Sequence, residues 1–159
     1  SPPDSEGPRL DLGFSSTRHP SVLLITLDTT RADHLAPYGA EDVETPALSR
    51  LASEGVVFEH AVAASPVTAP AHASLLTGLY PPRHGIRNNS THYLPEEIPT
   101  LAEWLSEAGY RTAAFVSTVI LEARYGLDQG FDVYDDDIRS EVNSGERRMT
   151  VERPEPLLE

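Results

Sequence analysis

The fold class is decided by one short apolar stretch, Val22-Leu23-Leu24-Ile25-Thr26-Leu27-Asp28. An almost continuous apolar run of this length is typical of a strand buried on both faces, as in a parallel sheet. It ends at Asp28, so a carboxylate follows the predicted strand. Ligands collect at that edge of open α/β sheets, which makes Asp28 a candidate ligand for a hard metal ion. An Asp after a strand is also a common cap or turn residue, and that alternative stays open.

Working outward from this stretch, helices and strands are predicted to alternate. Thr45-Pro46 favours a helix start and Gly55 a stop, and Thr100 and Glu103 have capping-box spacing. The predicted elements after the first strand are a helix over 45–55, a strand over 56–62, a helix from about 70 to 78, a helix over 100–109 and a strand over 110–117. This order predicts an α/β fold whose largely parallel sheet is flanked by helices, incomplete in this chain.

Two polar segments flank the predicted domain, residues 21–137. Residues 1–20 contain four prolines and no hydrophobic period, which predicts a flexible leader. Residues 138–159 are predicted to be a polar tail or the start of a continuation. No apolar run approaches the roughly 18–20 residues that a membrane-spanning helix needs.

Composition excludes several kinds of chemistry. The chain has 159 residues and no cysteine, so disulfides, thiolate metal sites and thiol nucleophiles are excluded. The net charge of −13 opposes binding to nucleic acid or to an anionic membrane. A small anionic substrate would need local positive charge, which a bound metal ion supplies most simply.

A second candidate site lies in the stretch Ser65-Pro66-Val67-Thr68-Ala69-Pro70-Ala71-His72-Ala73-Ser74-Leu75-Leu76-Thr77-Gly78. Thr68 lies just before the predicted helix, where free backbone N–H groups favour a bound anion. A threonine hydroxyl becomes a useful nucleophile when a base or a metal lowers its pKa. A metal ion held partly by Asp28 would have that effect. The simpler alternative is that Thr68 only caps the helix.

Four stretches, taken in order, carry a family resemblance: residues 22–28, residues 45–58, residues 73–85 including Arg83-His84-Gly85, and residues 126–134. Over residues 20–137 the chain resembles the N-terminal region of the sulfatase family of the alkaline-phosphatase superfamily. Several spaced motifs in one order are more specific than any one of them alone. The resemblance implies an alkaline-phosphatase-like fold and favours a periplasmic or extracellular location.

The resemblance also implies roles for individual residues. Asp28 would bind the catalytic metal (Zn²⁺, Mn²⁺ or Ca²⁺), and Thr68 would be the nucleophile that also touches it. His72, in place of the family's Arg, would orient the nucleophile or approach a bound oxyanion, although a helix-surface histidine is the alternative. Asn89 would bind a non-bridging substrate oxygen, or else belong to a polar Asn-Asn turn.

Two departures from the family pattern bear on the reaction. Sulfatases oxidise a Cys or Ser to formylglycine, whereas Thr68 is not a substrate of that maturation, so formylglycine is not expected. Asp28 is followed by Thr29, where calcium-type sulfatases have a second Asp. Both features resemble the phosphodiesterase, phosphonate-ester hydrolase and phosphoethanolamine-transferase branches. We therefore expect a metal-dependent hydrolase of small anionic esters, with a phosphodiester or phosphonate ester favoured over a sulfate ester.

The family's remaining metal ligands come from positions later than Glu159. One carboxylate and one hydroxyl hold a catalytic dication poorly against water. These 159 residues are therefore predicted to be inactive alone, as a fragment that needs the remainder of its domain or a partner chain. A phosphoethanolamine-type transferase and a non-catalytic α/β binding module are the two alternatives.

Overall fold

A computed structural model describes residues 20–89 and 91–137 in full, together with the backbone of two short strands beyond them. The helices are α1 (Pro46–Glu54), α2 (Thr68–Thr77), α3 (Pro81–His84) and α4 (Leu101–Glu107). The strands are β1 (Ala113–Phe115), β2 (Val133–Asp135), β3 (Ser140–Asn143) and β4 (Glu146–Met149). Short 3₁₀ turns lie at Ala32–His34, Ala36–Tyr38, Val119–Leu121 and Ala123–Tyr125.

The strands form two separate pairs. β1 and β2 are parallel, with Ala113 opposite Val133 and Phe115 opposite Asp135. β3 and β4 are antiparallel. The parallel pair confirms the strand predicted within residues 110–117 and agrees with the α/β class. The predicted leader lies outside the described residues except for Pro20, and of the predicted tail only the backbone of β3 and β4 is described.

Helix α2 is the centre of the hydrophobic core. Ala69 and Ala73 are buried on the face that packs against the other buried apolar residues: Ile86, Leu94, Leu121 and Leu127. The helix ends at Gly78, whose φ of 69° is left-handed and suits a residue without a Cβ. The structure confirms the predicted helix but starts it at Thr68, earlier than predicted. Thr68 is therefore attached to the best-packed helix of the described chain.

The capping box of α4 is confirmed. The Thr100 hydroxyl accepts from the Glu103 N–H at 3.2 Å, and the Glu103 carboxylate accepts from the Thr100 N–H at 2.7 Å. Gly130 packs directly on this cap with a φ of 83°. A Cβ on Gly130 would lie 2.2 Å from the Glu103 nitrogen, so no other residue fits there without movement.

Two predicted strands are absent from the described residues. Residues 22–27 and 56–62 contain no strand, and their apolar side chains are exposed, with Leu23 at 83% and Phe58 at 72%. A strand is stabilised by pairing with a neighbour and by burial of its faces. Among the described residues no strand pairs with either segment. The strand predictions for 22–27 and 56–62 are therefore wrong for this structure, which leaves both segments without pairing.

The first predicted helix forms with a different N-terminal contact. α1 covers Pro46–Glu54 as predicted, and Thr45 occupies the N-cap position. The Thr45 hydroxyl makes no capping bond, however, because it accepts from the N–H of Ala36 at 3.0 Å. Thr45 therefore ties the turn at Ala36–Tyr38 to α1. No helix within the described residues has the length and apolar character needed to cross a membrane.

Candidate functional site

Asp28 and Thr68 are in direct contact although 40 residues separate them in the sequence. The Thr68 hydroxyl donates to Asp28 Oδ2 at 2.9 Å. The other carboxylate oxygen, Oδ1, accepts from the Thr29 N–H at 2.9 Å. Thr68 is the first residue of α2, and Val67 occupies the N-cap position without a side-chain capping bond. The alternative in which Thr68 only caps the helix is therefore wrong.

The backbone at Thr29 is unusual. Its φ of 58° is left-handed, and Thr29 is the only residue other than glycine with a positive φ among the described residues. A β-branched side chain in this region costs on the order of 1–2 kcal/mol. Asp28 thus has one oxygen held by its own turn and the other directed at Thr68.

The peptide group between Thr68 and Ala69 is held from both sides. The Ala69 N–H donates to Asn89 Oδ1 at 2.9 Å. On the other side, His72 Nδ1 lies 2.9 Å from the Thr68 carbonyl oxygen. This peptide group directly follows the candidate nucleophile, so its two contacts hold the backbone that carries the Thr68 side chain.

The Asn89 side chain accepts a hydrogen bond from a backbone N–H at the start of α2, where the sequence predicts N–H groups free for an anion. The Ala69 N–H bonds to Asn89, Pro70 has no N–H, and the Ala71 N–H donates to the Val67 carbonyl at 3.0 Å. Within the described contacts this leaves the N–H of Thr68 for an anion. Because Asn89 uses its carbonyl oxygen here, its amide nitrogen keeps two donors for other partners. A role in substrate binding stays a prediction.

His72 also reaches the segment that carries Asp28. Its Nε2 lies 3.1 Å from the hydroxyl of Thr26. Thr26 was not among the residues singled out from the sequence. The signal that could have found it is its spacing from Asp28, since residues two apart in an extended chain lie on the same face. The structure thus brings Asp28, Thr68, His72 and Asn89 together, with Thr26 as an addition.

Of these residues, Thr26, Asp28, Thr68 and His72 border a cleft of about 770 Å³, and Asn89 is not part of its lining. Its walls come from residues 26–31, from residues 62–68 and from the exposed side of α2. Arg31 is a cation at its edge, and its guanidinium group pairs with the exposed carboxylate of Asp33 at 2.5 Å. The hydrogen bond from Arg31 lowers the pKa of Asp33, and the same pair raises the pKa of Arg31.

His84 lies outside this cluster and is fully buried. Its Nδ1 accepts from the Ile86 N–H at 3.2 Å, so the neutral ring donates from Nε2 to the Ser74 hydroxyl at 3.0 Å. Burial lowers the pKa of His84, while hydrogen bonding to backbone groups opposes the shift. This residue links α3 to α2 and precedes the loop that carries Asn89.

The donors present fit part of a divalent metal site. A carboxylate and a hydroxyl are hard oxygen ligands, which Ca²⁺ and Mn²⁺ accept and Zn²⁺ tolerates. Among the described residues, no group of three or more His, Asp or Glu side chains comes together as a candidate metal site. Asp28 and Thr68 could therefore supply two ligands of a larger set.

The chain belongs to the sulfatase family, whose family model matches residues 20–144. It is 37% identical over 103 residues to human N-acetylgalactosamine-6-sulfatase, a match that covers 57% of this chain and 20% of that protein. It is 43% identical over 94 residues to an ulvan-active sulfatase of Formosa agariphila, which covers 59% of this chain and 18% of the relative. This chain thus spans about a fifth of the length of these curated relatives.

The fold is also similar to that of a solved enzyme structure. The crystal structure of the phosphonate monoester hydrolase of Agrobacterium radiobacter superposes with a TM-score of 0.65 and 29% identity. The match covers 76% of this chain and 27% of that one. The predicted family and the alkaline-phosphatase-like α/β fold class are therefore confirmed, and the chain is part of a hydrolase family.

Proposed function

We propose that this chain supplies the nucleophile and one metal carboxylate of a metal-dependent hydrolase that cleaves phosphate or sulfate esters. The observation that carries the proposal is the 2.9 Å hydrogen bond from the Thr68 hydroxyl to Asp28 Oδ2. It joins a hydroxyl at the start of a buried helix to a carboxylate on a distant segment, beside an open cleft. A nucleophile beside a metal-binding carboxylate is what covalent hydrolysis of an anionic ester requires.

The chemistry has two halves. In the first, the Thr68 oxygen bonds to phosphorus as the bond from phosphorus to the ester oxygen breaks. Thr68 loses one proton to water, and the departing alkoxide takes up one proton from water and leaves as the alcohol. In the second, water cleaves the new bond, which restores the Thr68 hydroxyl and releases the remaining phosphate or phosphonate. A bound dication would lower the pKa of the attacking group and offset negative charge on the substrate. Asn89 keeps two amide donors for a non-bridging oxygen.

A phosphodiester or phosphonate ester is favoured over a sulfate ester. Threonine at position 68 is not the residue that sulfatases convert to formylglycine, and the chain has no cysteine. The similarity to a phosphonate monoester hydrolase supports the same choice. The relatives whose names specify a sulfatase keep sulfate esters as the second possibility.

The proposed site needs ligands beyond those described. Two oxygen ligands leave most positions around a divalent ion to water, which makes binding weak. Since the chain spans about a fifth of its curated relatives, the other ligands would come from the rest of the protein or from a partner chain. We expect the 159 residues alone to show no turnover.

The test replaces Thr68 in the full-length protein that contains this sequence. A nitrophenyl phosphodiester, a nitrophenyl phosphonate ester and a nitrophenyl sulfate would each be assayed as a substrate in the presence of Zn²⁺, Mn²⁺ or Ca²⁺. Thr68→Val removes the hydroxyl at constant shape and should lower kcat on the order of a thousandfold, whereas Thr68→Ser should retain measurable turnover. Thr77→Val is the matched control, since its hydroxyl bonds to the Ala73 carbonyl at the far end of α2.

Unchanged turnover in Thr68→Val would contradict the proposal. Product analysis with and without an added alcohol separates hydrolysis from transfer to an acceptor, as a phosphoethanolamine-type transferase would perform. Ligand binding that does not depend on Thr68, with no turnover by the full-length protein, would instead indicate a binding module.

A further inference from the structure

A second cross-link lies beside the contact between Asp28 and Thr68. The hydroxyl of Thr26 lies 3.1 Å from His72 Nε2, and these residues are 46 positions apart in the sequence. Thr26 and Asp28 are two residues apart on one segment, and Thr68 and His72 are four apart on one face of α2. The two cross-links therefore join the same segment to the same helix.

The contacts of His72 define which nitrogen carries the proton. The Thr68 carbonyl oxygen is an acceptor only, so His72 Nδ1 must donate to it across 2.9 Å. In the neutral ring, Nε2 then has no hydrogen and is an acceptor. The Thr26 hydroxyl donates to this nitrogen. Both ring nitrogens are thus engaged by protein groups on opposite sides of the ring.

We infer that Thr26 is a positioning residue, which donates to Nε2 of His72 and so keeps the Nδ1–H of the ring on the Thr68 carbonyl, beside the proposed nucleophile. The inference rests on the proposed role of Thr68 and adds to it. With Nδ1 on the Thr68 carbonyl and Nε2 on Thr26, His72 acts by orientation. Proton transfer to the substrate is not its role in this arrangement.

In this structure, side-chain contacts hold the segment that carries Thr26. Residues 22–27 pair with no strand among the described residues, and the side chains of Leu23 and Ile25 are 83% and 64% exposed. Side-chain contacts to α2 at Thr26 and Asp28 therefore hold it against the helix. Loss of the Thr26 contact should let the segment move and displace Asp28 from Thr68, and small displacements of reacting groups are costly in rate.

The first experiment needs no activity. The protein is labelled with ¹⁵N-histidine, His72 is assigned by comparison with His72→Gln, and the ring nitrogen shifts are recorded at alkaline pH. We expect the Nδ1–H tautomer in the wild type and, in Thr26→Val, a changed Nε2 shift, because that nitrogen loses its hydrogen-bond donor. Thr30→Val, an isosteric change in the same region, should leave the His72 signals unchanged. An Nε2–H tautomer in the wild type, or unchanged signals in Thr26→Val, would overturn the inference.

The second experiment uses the full-length protein and an ester that it hydrolyses. Thr26→Val should lower kcat on the order of tenfold with little change in KM, and Thr26→Ser, which keeps the hydroxyl, should restore the wild-type value. The pH profile should keep its shape in Thr26→Val and in His72→Gln, because a positioning residue transfers no proton. A lost limb of the profile in His72→Gln would overturn the inference and assign acid–base chemistry to His72.

The two experiments separate this inference from the proposed function. The tautomer is measured whether or not Thr68 is a nucleophile. Full activity in Thr68→Val together with the expected change at Nε2 in Thr26→Val would reject the proposed function alone. Loss of activity in Thr68→Val with no effect of Thr26→Val on either measurement would reject the positioning role alone.

Discussion

A threonine hydroxyl attacks an ester only when its surroundings prepare and aim it. Around Thr68 the side chain points at Asp28, and the peptide group that follows is held by His72 at its carbonyl and by Asn89 at its N–H. The contact with Asp28 spans 40 residues of sequence and the contact with Asn89 spans 20, whereas the contact with His72 spans one helical turn. The proposed nucleophile is thus oriented by groups from three parts of the chain, which is the preorganisation that catalysis would need.

His84 provides a prediction on the pH dependence of stability. Its ring is neutral and buried, and its pKa is lowered below the ordinary value of 6.5. The unfolded chain binds a proton at this residue more readily than the folded chain does. Its contribution to stability is therefore present above about pH 6.5 and is lost as the pH falls toward the lowered pKa of the folded state.

The free energy of unfolding would be measured with urea at several pH values between about 5 and 8. Histidine is the side chain whose ordinary pKa lies within this pH range. We expect His84→Gln to have a smaller pH slope than the wild type, and His60→Gln, a change at an exposed histidine, to keep the wild-type slope. An NMR titration of wild-type His84 is the second readout if the variant folds poorly. A His84 pKa at or above 6.5 would contradict the prediction.

At the scale of secondary structure, the cap of α4 is joined to the stretch 126–134 by backbone contacts. The Thr100 hydroxyl donates to the Gln129 carbonyl at 2.8 Å, and Gly130 lies against the Glu103 nitrogen. This packing explains why a glycine stands at position 130. A side chain there would collide with backbone, which has little freedom to move.

Gly130 and Gly109 allow this collision to be measured separately from backbone strain. Both have left-handed φ values, 83° and 86°, but an added Cβ meets nothing within 4 Å at Gly109. Gly109→Ala should cost about 1 kcal/mol of unfolding free energy from strain alone. Gly130→Ala should cost about 3 kcal/mol or more, because strain and a backbone clash add. Equal losses of unfolding free energy in the two variants, measured by urea unfolding, would show that the cap of α4 moves to accommodate the added Cβ at no energetic cost.

Local signals predicted the helices better than the strands. Thr100 with Glu103 and the glycine at 78 act within one or two helical turns, so local sequence defines the start of α4 and the end of α2. Residues 22–27 and 56–62 have strand-like composition, yet a strand also requires a neighbour that pairs with it. Asp28, Thr68, His72 and Asn89 were predicted with help from the family resemblance. Thr26 was missed because its partner is 46 residues away.

At the scale of the whole molecule, the net charge of the chain and the composition of the candidate site both favour a bound metal ion. A chain of net charge −13 repels an anionic ester unless local positive charge opposes it. Arg31, the cation at the cleft, already pairs with Asp33. A bound dication would supply that charge, and the described residues offer Asp28 and Thr68 for it. Substrate binding should therefore depend on the metal and on the groups that complete its ligand set.

Calorimetry with Zn²⁺, Mn²⁺ and Ca²⁺ tests this requirement on the 159-residue chain and on the full-length protein. The short chain should bind weakly, without saturation at about 1 mM, because two oxygen ligands leave the ion mostly hydrated. The full-length protein should bind tightly, and Asp28→Ala should weaken its affinity tenfold or more. Asp42→Ala, at an exposed carboxylate outside the cleft lining, is the control and should change nothing.

Tight binding by the short chain that Asp28→Ala abolishes would mean that these residues build a sufficient metal site by themselves. The expectation that the rest of the protein or a partner chain completes the site would then be wrong, and the short chain should hydrolyse phosphodiesters. Tight binding by the full-length protein that is unaffected by Asp28→Ala would instead remove Asp28 from the metal site. The hydrogen bond between Thr68 and Asp28 would then have to prepare the nucleophile without a metal ion at Asp28.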